Sequence, residues 1–239
     1  MAIPLLTDPV RSVRAEAARI VAPGKVQLDE TQRADFENAA AEYVAKQQAI
    51  SDRAAGHMGL ALFYSDLGEM DKAEAAYRMA KKVEPEFVPA RINLAEMLFT
   101  QNKPKAAEEE FRGAVEAAMI ENEEGLARDA LARFLIRMKR YDEGVVELKK
   151  ATEMMPNHAQ TQYFYGVALN SLQRFEEALP YLKKAHELDP YNVEYLSGLA
   201  TILRDAGRTQ EALGYARKAL DVQPENQQLQ GLVRALGGG

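Results

Sequence analysis

Pro156, Pro190 and Pro224 stand 34 residues apart, and this period constrains the fold more than any other feature of the chain. Going back from Pro156, Pro85 lies two further periods and a three-residue insertion away, with Met119 in the slot of the missing proline. Other columns keep the same step. A large residue followed by a tiny one recurs as Leu60–Ala61, Leu94–Ala95, Leu131–Ala132, Tyr165–Gly166 and Leu199–Ala200. Three residues on come Tyr64, Leu98, Leu135, Leu169 and Leu203. A small residue then recurs as Ala73, Ala107, Gly144, Ala178 and Ala212. It is followed by Tyr77, Phe111, Leu148, Leu182 and Ala216, and by Ala80, Ala114, Ala151, Ala185 and Ala219.

Small residues let two helix backbones approach, and large ones at three- or four-residue spacing fill the groove beside them. Each unit is therefore a helical hairpin that cannot bury its own apolar face and must stack on its neighbours. Five units follow, at 54–87, 88–121, 125–158, 159–192 and 193–226. The pattern resembles the tetratricopeptide repeat, which implies an all-α, right-handed α-solenoid. Two departures stand out. The slot that opens each unit holds His57, Arg91, Arg128, Gln162 and Leu196, mostly polar, which predicts weaker burial between helices. The turn between helices has glycine only at Gly68 and Gly207, against Asn102, Lys139 and Gln173 elsewhere. Pro180 falls inside a second helix and removes one backbone hydrogen bond.

The ends differ from the repeats. Leu229, Leu232, Val233 and Leu236 form one stripe, which predicts a short capping helix within 227–239 that ends in a glycine tail. Residues 29–50 predict an amphipathic capping helix with Phe36, Ala40, Tyr43, Val44 and Gln47 near one face. Upstream, the Asp-Pro-Val-Arg string resembles a HEAT-like helix over 8–21. Its resemblance implies a cap at Asp8 and inward Val10, Val13, Ala17 and Ile20. With the repeats, this N-terminal segment (1–53) resembles the C-terminal region of bacterial multihaem c-type cytochrome proteins. That resemblance implies a docking module of a redox complex, periplasmic if exported and otherwise cytoplasmic. The sequence has no cysteine, so no Cys-x-x-Cys-His haem segment carries over.

The absence of cysteine also excludes disulfides, thiolate metal sites and cysteine nucleophiles. The net charge of −6 gives no nucleic-acid footprint. No apolar run is long enough to insert across a membrane. His57, His158 and His186 are scattered through the repeats and read as packing residues. No phosphate-binding loop or nucleophile elbow occurs. The expected chain is a non-enzyme that uses no metal and no cofactor. Basic residues recur at Arg78, Arg112, Lys149, Lys183 and Arg217 and read as a solvated face balanced by acids nearer the helix starts.

A partner peptide or helix is expected on the concave face lined by the first helices. In the first two units the inward slots hold Met58, Leu62, Ile92, Glu96 and Phe99. In the third they hold Asp129, Arg133, Ile136 and Arg137. In the last two they hold Tyr163, Val167, Asn170, Ser197, Thr201 and Arg204. Tetratricopeptide relatives that clamp Hsp70 or Hsp90 tails use a set of Lys, Asn and Arg. Here Asn93 matches, but Met58, Leu62, Leu126 and Ala130 fill other slots of that clamp, so chaperone-tail binding is not expected. The alternative to partner docking is self-assembly; the C-terminal cap favours a monomer.

Overall fold

The computed structural model describes residues 2–238 and divides into two compact units, 1–119 and 120–239. Among the described residues it contains thirteen α-helices and no strand. In the first unit, a 3-10 turn at Ile3–Thr7 leads into α1 (Arg11–Val21), and a second 3-10 stretch leads to α2 (Glu30–Gln48). Then follow α3 (Ala54–Asp66), α4 (Met70–Val83), α5 (Val88–Thr100) and α6 (Pro104–Ala117). The second unit holds α7 (Glu121–Arg137), α8 (Tyr141–Met154), α9 (Ala159–Ser171), α10 (Phe175–Leu188), α11 (Val193–Asp205), α12 (Thr209–Val222) and α13 (Gln227–Ala235). Helices pair in chain order, α1 with α2 through α11 with α12, and α13 packs on α12. Both units are thus all-α arrays of helical hairpins, an α-solenoid architecture.

The small-residue columns do what close packing asks of them. Ala73, Ala107, Ala178 and Ala212 are fully buried, as are Ala80, Ala114, Ala151, Ala185 and Ala219. Phe63, Phe111, Phe134, Leu148 and Leu182 fill the space around them with essentially no exposure. Each such side chain contributes about 1.5–3 kcal/mol by leaving water.

The turns inside the hairpins share one geometry. Gly68, Asn102, Lys139, Gln173 and Gly207 have φ of 75°, 60°, 61°, 60° and 76°. In each case the next residue donates its N–H back across the helix end, as Glu69 does to Tyr64 at 2.9 Å and Arg208 does to Leu203 at 2.7 Å. This six-to-one bond satisfies a helix-terminal carbonyl and requires a left-handed residue at the turn. α10 runs unbroken through Pro180, whose missing N–H is one of the few gaps in its ladder.

The polar opening slots correct one expectation. They do not simply weaken burial; several turn back to a loop carbonyl six residues earlier. His57 Nε2 lies 3.0 Å from the Ser51 oxygen, and Arg91 Nε donates to Pro85 at 3.0 Å. Gln162 does the same to Pro156 at 3.1 Å, and so does Gln230 to Pro224 at 2.9 Å at the start of α13. Arg128 instead bridges Glu124 on its own helix and Glu147 on α8. Loop carbonyls that the fold would leave without a protein partner are satisfied by the residues that open the next helix.

The N-terminal pair departs from its HEAT-like reading. α1 begins at Arg11 with Val10 as its N-cap, while Asp8 Oδ1 accepts the Val10 N–H at 2.8 Å in a local turn. Val10 and Ile20 are 52% and 54% exposed rather than inward. The buried stripe is Ala15, Ala17, Ala18 and Val21, because α2 covers the alanine side of α1. α2 opens with a capping box in which Asp29 accepts from Gln32 N at 2.9 Å and Gln32 Oε1 accepts from Asp29 N at 3.2 Å. Tyr43 of α2 stacks on Phe63 of α3 with ring centroids 4.7 Å apart.

The C-terminal glycines are also more than a tail. Gly237 adopts φ 85°, and the buried Gly238 donates to the Val233 oxygen at 3.0 Å, closing the C-terminus of α13. Gly239 lies outside the described residues. Leu229 of α13 packs with Leu196 and Ala219, covering the last hairpin.

Candidate functional site

In the first unit, the expected inward residues come from α3 and α5. Met58 is half-buried beside Ala54, Ala80 and Ala90, while Ile92, Glu96 and Phe99 are half-buried along α5. Leu62 is different. It is 44% exposed, although its helix neighbours Leu60 and Phe63 are 7% and 1% exposed. An unsatisfied leucine on a first helix is the apolar contact that such a face would offer a partner.

In the second unit, α7, α9 and α11 lie side by side. Arg133 Nε donates to Asp129 Oδ2 at 2.9 Å, and its guanidinium sits 5.4 Å from the Phe164 ring centroid. The ion pair holds Arg133 along its own helix, and the cation–π contact ties α7 to α9. Asp129 is buried, and its Oδ1 has no hydrogen-bond partner among the described residues. Arg137 projects, exposed, from the last turn of α7.

Tyr163 ties α9 to α11. Its ring lies 4.9 Å from that of Tyr195 and against Gly198, where an added Cβ would come within 2.6 Å of Tyr163 Cε2. Burial, and then the nearby Glu194 carboxylate, push the Tyr163 hydroxyl up to about 12. Ile136 turns back onto Gly144 of α8, and Val167 joins the core of the second unit. These three side chains spend most of their surface on packing rather than on an open face.

The remaining slots are polar and mostly self-satisfied. Ser197 Oγ donates to the Glu194 carbonyl at 3.1 Å, and Thr201 Oγ1 donates to the Ser197 carbonyl at 2.9 Å. Arg204 pairs with Asp205 at 2.8 Å. Asn170 Oδ1 is buried with no partner among the described residues. Phe164 was absent from the expected lining, although an aromatic beside Tyr163 in a first helix was its only sequence signal.

The recurring basic slot is partly explained. Arg78 pairs with Glu74, and Arg112 with Glu108, each at 2.8 Å and one turn apart on an exposed helix face. Such pairs contribute a few tenths of a kcal/mol each, about 0.3–0.5. His158 caps α9, its Nδ1 lying 2.8 Å from Thr161 Oγ1. Among the described residues, no group of three or more His, Asp or Glu side chains converges as a metal site, and no helix is long and apolar enough to cross a membrane.

Comparison with known proteins bears on this geometry. Tetratricopeptide-repeat family models match residues 54–87 and 157–225. The type IV pilus assembly protein PilF of Pseudomonas aeruginosa is 27% identical over 117 residues, covering 49% of this chain and 45% of that relative. The chain therefore matches less than half the length of that curated protein. The crystal structure of PilW, a type IV pilus biogenesis factor, superposes with a TM-score of 0.71 at 16% identity, over 95% of this chain and 100% of that one. The Pseudomonas aeruginosa PilF structure gives 0.69 at 16% identity, over 94% and 99%. YrrB, described as a tetratricopeptide-repeat protein with an unusual peptide-binding site, gives 0.61 at 20% identity, over 80% and 97%. At these identities the structural likenesses speak for the fold. The matched repeats, the paired helices and the shared turn geometry make this chain a member of the tetratricopeptide-repeat superfamily.

Proposed function

We propose that this chain is a non-enzymatic interaction scaffold that docks a partner's peptide or helix on the face of its first helices. Tetratricopeptide-repeat proteins are in general interaction scaffolds without catalytic activity, and this chain belongs among them. The observation that carries the docking reading is Leu62, an exposed leucine on a first helix whose Leu60 and Phe63 are buried. In the second unit, Arg133 and Arg137 supply charge on the same helix type. In the first unit the exposed leucine favours a partner segment with an apolar residue, and in the second the cationic side chains favour one with acidic residues.

A second reading concerns the setting. The 27% identity to PilF over 117 residues favours a partner within a bacterial pilus-assembly complex. The test is affinity co-purification from the source cell with the wild type and with Leu62→Glu and Arg137→Glu, both exposed positions. A partner captured by the wild type and lost with either variant supports docking on this face. Equal capture by all three overturns it. A captured partner unrelated to pili leaves the docking reading in place and removes the second one.

A further inference from the structure

A separate cleft of the second unit shares no lining residue with the expected partner-binding set. Its volume is about 660 Å3, and its walls come from the C-terminal turns of α10 and α12 and from the loop between α10 and α11. Leu196 and Pro190 form an apolar floor. Tyr191 stands at the mouth, 79% exposed, and Val222 beside it is half-exposed. A tyrosine this open in an otherwise well-packed array is an unused contact surface.

The polar groups of the cleft include one that only accepts, the Asp221 carboxylate. The Asp221 carboxylate makes no ion pair among the described residues. His186 Nδ1 is buried and has no hydrogen-bond partner among the described residues. The imidazole stands edge-on to Tyr215, with centroids 5.6 Å apart and planes at 89°. Burial, and then the Lys218 ammonium, hold its pKa below the usual histidine value, against a smaller opposing pull from Glu187. The ring is therefore neutral at neutral pH and adds no positive charge. Lys218, the one cation among the described residues that line the cleft, lies 5.1 Å over the Tyr215 ring. The C-terminal ends of α10 and α12 contribute negative partial charge to the same walls.

We propose that this cleft takes an arginine side chain from a partner polypeptide, with the guanidinium on the Tyr191 ring and paired with Asp221. The apolar floor of Leu196 and Pro190 receives the methylene stem, as long cationic side chains bury their stems along apolar surface. Arginine fits better than lysine because a planar guanidinium stacks on an aromatic face and forks onto a carboxylate. The unpaired carboxylate would repel an acidic segment, and a purely apolar one would leave it unmatched.

The test is a 15N–1H titration of the whole chain with acetyl-Gly-Arg-Gly-amide and with the same tripeptide carrying citrulline, the neutral isostere of arginine. Expected are shifts at the amides of Tyr191, Lys218, Asp221 and Val222, with the citrulline peptide binding about threefold or more weakly. A threefold change is about 0.7 kcal/mol, within the range of an exposed ion pair. Asp221→Asn brings the arginine peptide to the citrulline level, and Tyr191→Ala weakens both. Both positions are exposed, so neither change threatens folding. Shifts elsewhere or none at all, equal binding of the two peptides, or insensitivity to Asp221→Asn overturns the proposal. Free arginine binding more tightly than the blocked tripeptide overturns the polypeptide as the source. None of these outcomes touches docking on the first-helix face, because no residue is shared.

Discussion

Gln162 donates from Nε2 to the carbonyl oxygen of Pro156, 3.1 Å away, and is itself 5% exposed. The side chain that opens one hairpin thus ties down the proline loop that closes the hairpin before it. Gln162→Leu keeps the volume and loses the bond, so stability should fall by about 1 kcal/mol, the net worth of an ordinary hydrogen bond. Gln162→Glu should cost more, because it sets a carboxylate against a carbonyl in a closed site. Urea midpoints of the two variants check this; a Gln162→Leu midpoint equal to the wild type would contradict it.

The left-handed turns give a second prediction. Lys139 and Gln173 hold φ near 60° where Gly68 and Gly207 hold about 75°. A side chain in that region costs about 1–2 kcal/mol, partly offset by the roughly 0.5–1 kcal/mol of chain entropy that glycine loses on folding. Lys139→Gly and Gln173→Gly should each stabilise the protein by about 0.5–1 kcal/mol, and Gly207→Ala should destabilise it by a similar amount. Thermal melts of the three variants show whether the signs hold.

Much of this fold was readable in the sequence because its repeat columns record backbone approach. An alanine facing a helix at Ala73, Ala107 or Ala178 leaves a mark at every step of the period. The opening slots were misread because a polar residue in an apolar column looks like lost burial. The carbonyls it satisfies, such as that of Pro156, belong to the backbone and leave no trace in residue identity. The α1 stripe was misread for a related reason. Val10, Val13, Ala17 and Ile20 keep a helical period, but so do Ala15, Ala18 and Val21, and the chain buries the smaller side where α2 lies close. Among the inward slots, Tyr163 and Ile136 owe their packing to Gly198 and Gly144 on other helices. That pairing depends on tertiary register.

Two glycines of α3 separate close backbone approach from loose side-chain contact. A Cβ at Gly56 would meet the Ile50 carbonyl oxygen at 2.5 Å and that of Gln47 at 2.8 Å, both backbone atoms. A Cβ at Gly59 would meet the far end of the Gln47 side chain at 2.6 Å. Helix propensity favours alanine at both by up to about 1 kcal/mol. Gly56→Ala should still destabilise by about 1–2 kcal/mol, since overpacking against backbone costs about 1–3, whereas Gly59→Ala should change little. Equal effects at the two positions would refute the distinction.

Tyr163 predicts an alkaline limb. Its hydroxyl is raised to about 12, so the neutral form is favoured in the folded state. The stabilisation is complete below the ordinary phenol value of about 10 and is lost as pH climbs from there through about 12. Tyr195 and Tyr165 are raised by burial as well and add to the same limb. Tyr163→Phe should flatten the fall in stability above pH 10 without altering it near neutrality, as read by urea midpoints across that range.

Docking on the first-helix face is tested most directly by where a partner can be crosslinked. A photoreactive phenylalanine analogue placed at Leu62 or Arg137 probes the first helices, and one at Met79 or Val146 probes exposed positions on the second helices α4 and α8. In the source cell, positions 62 and 137 should each yield a crosslinked partner, and positions 79 and 146 should not. A partner trapped from 79 or 146 but never from 62 or 137 would contradict the account.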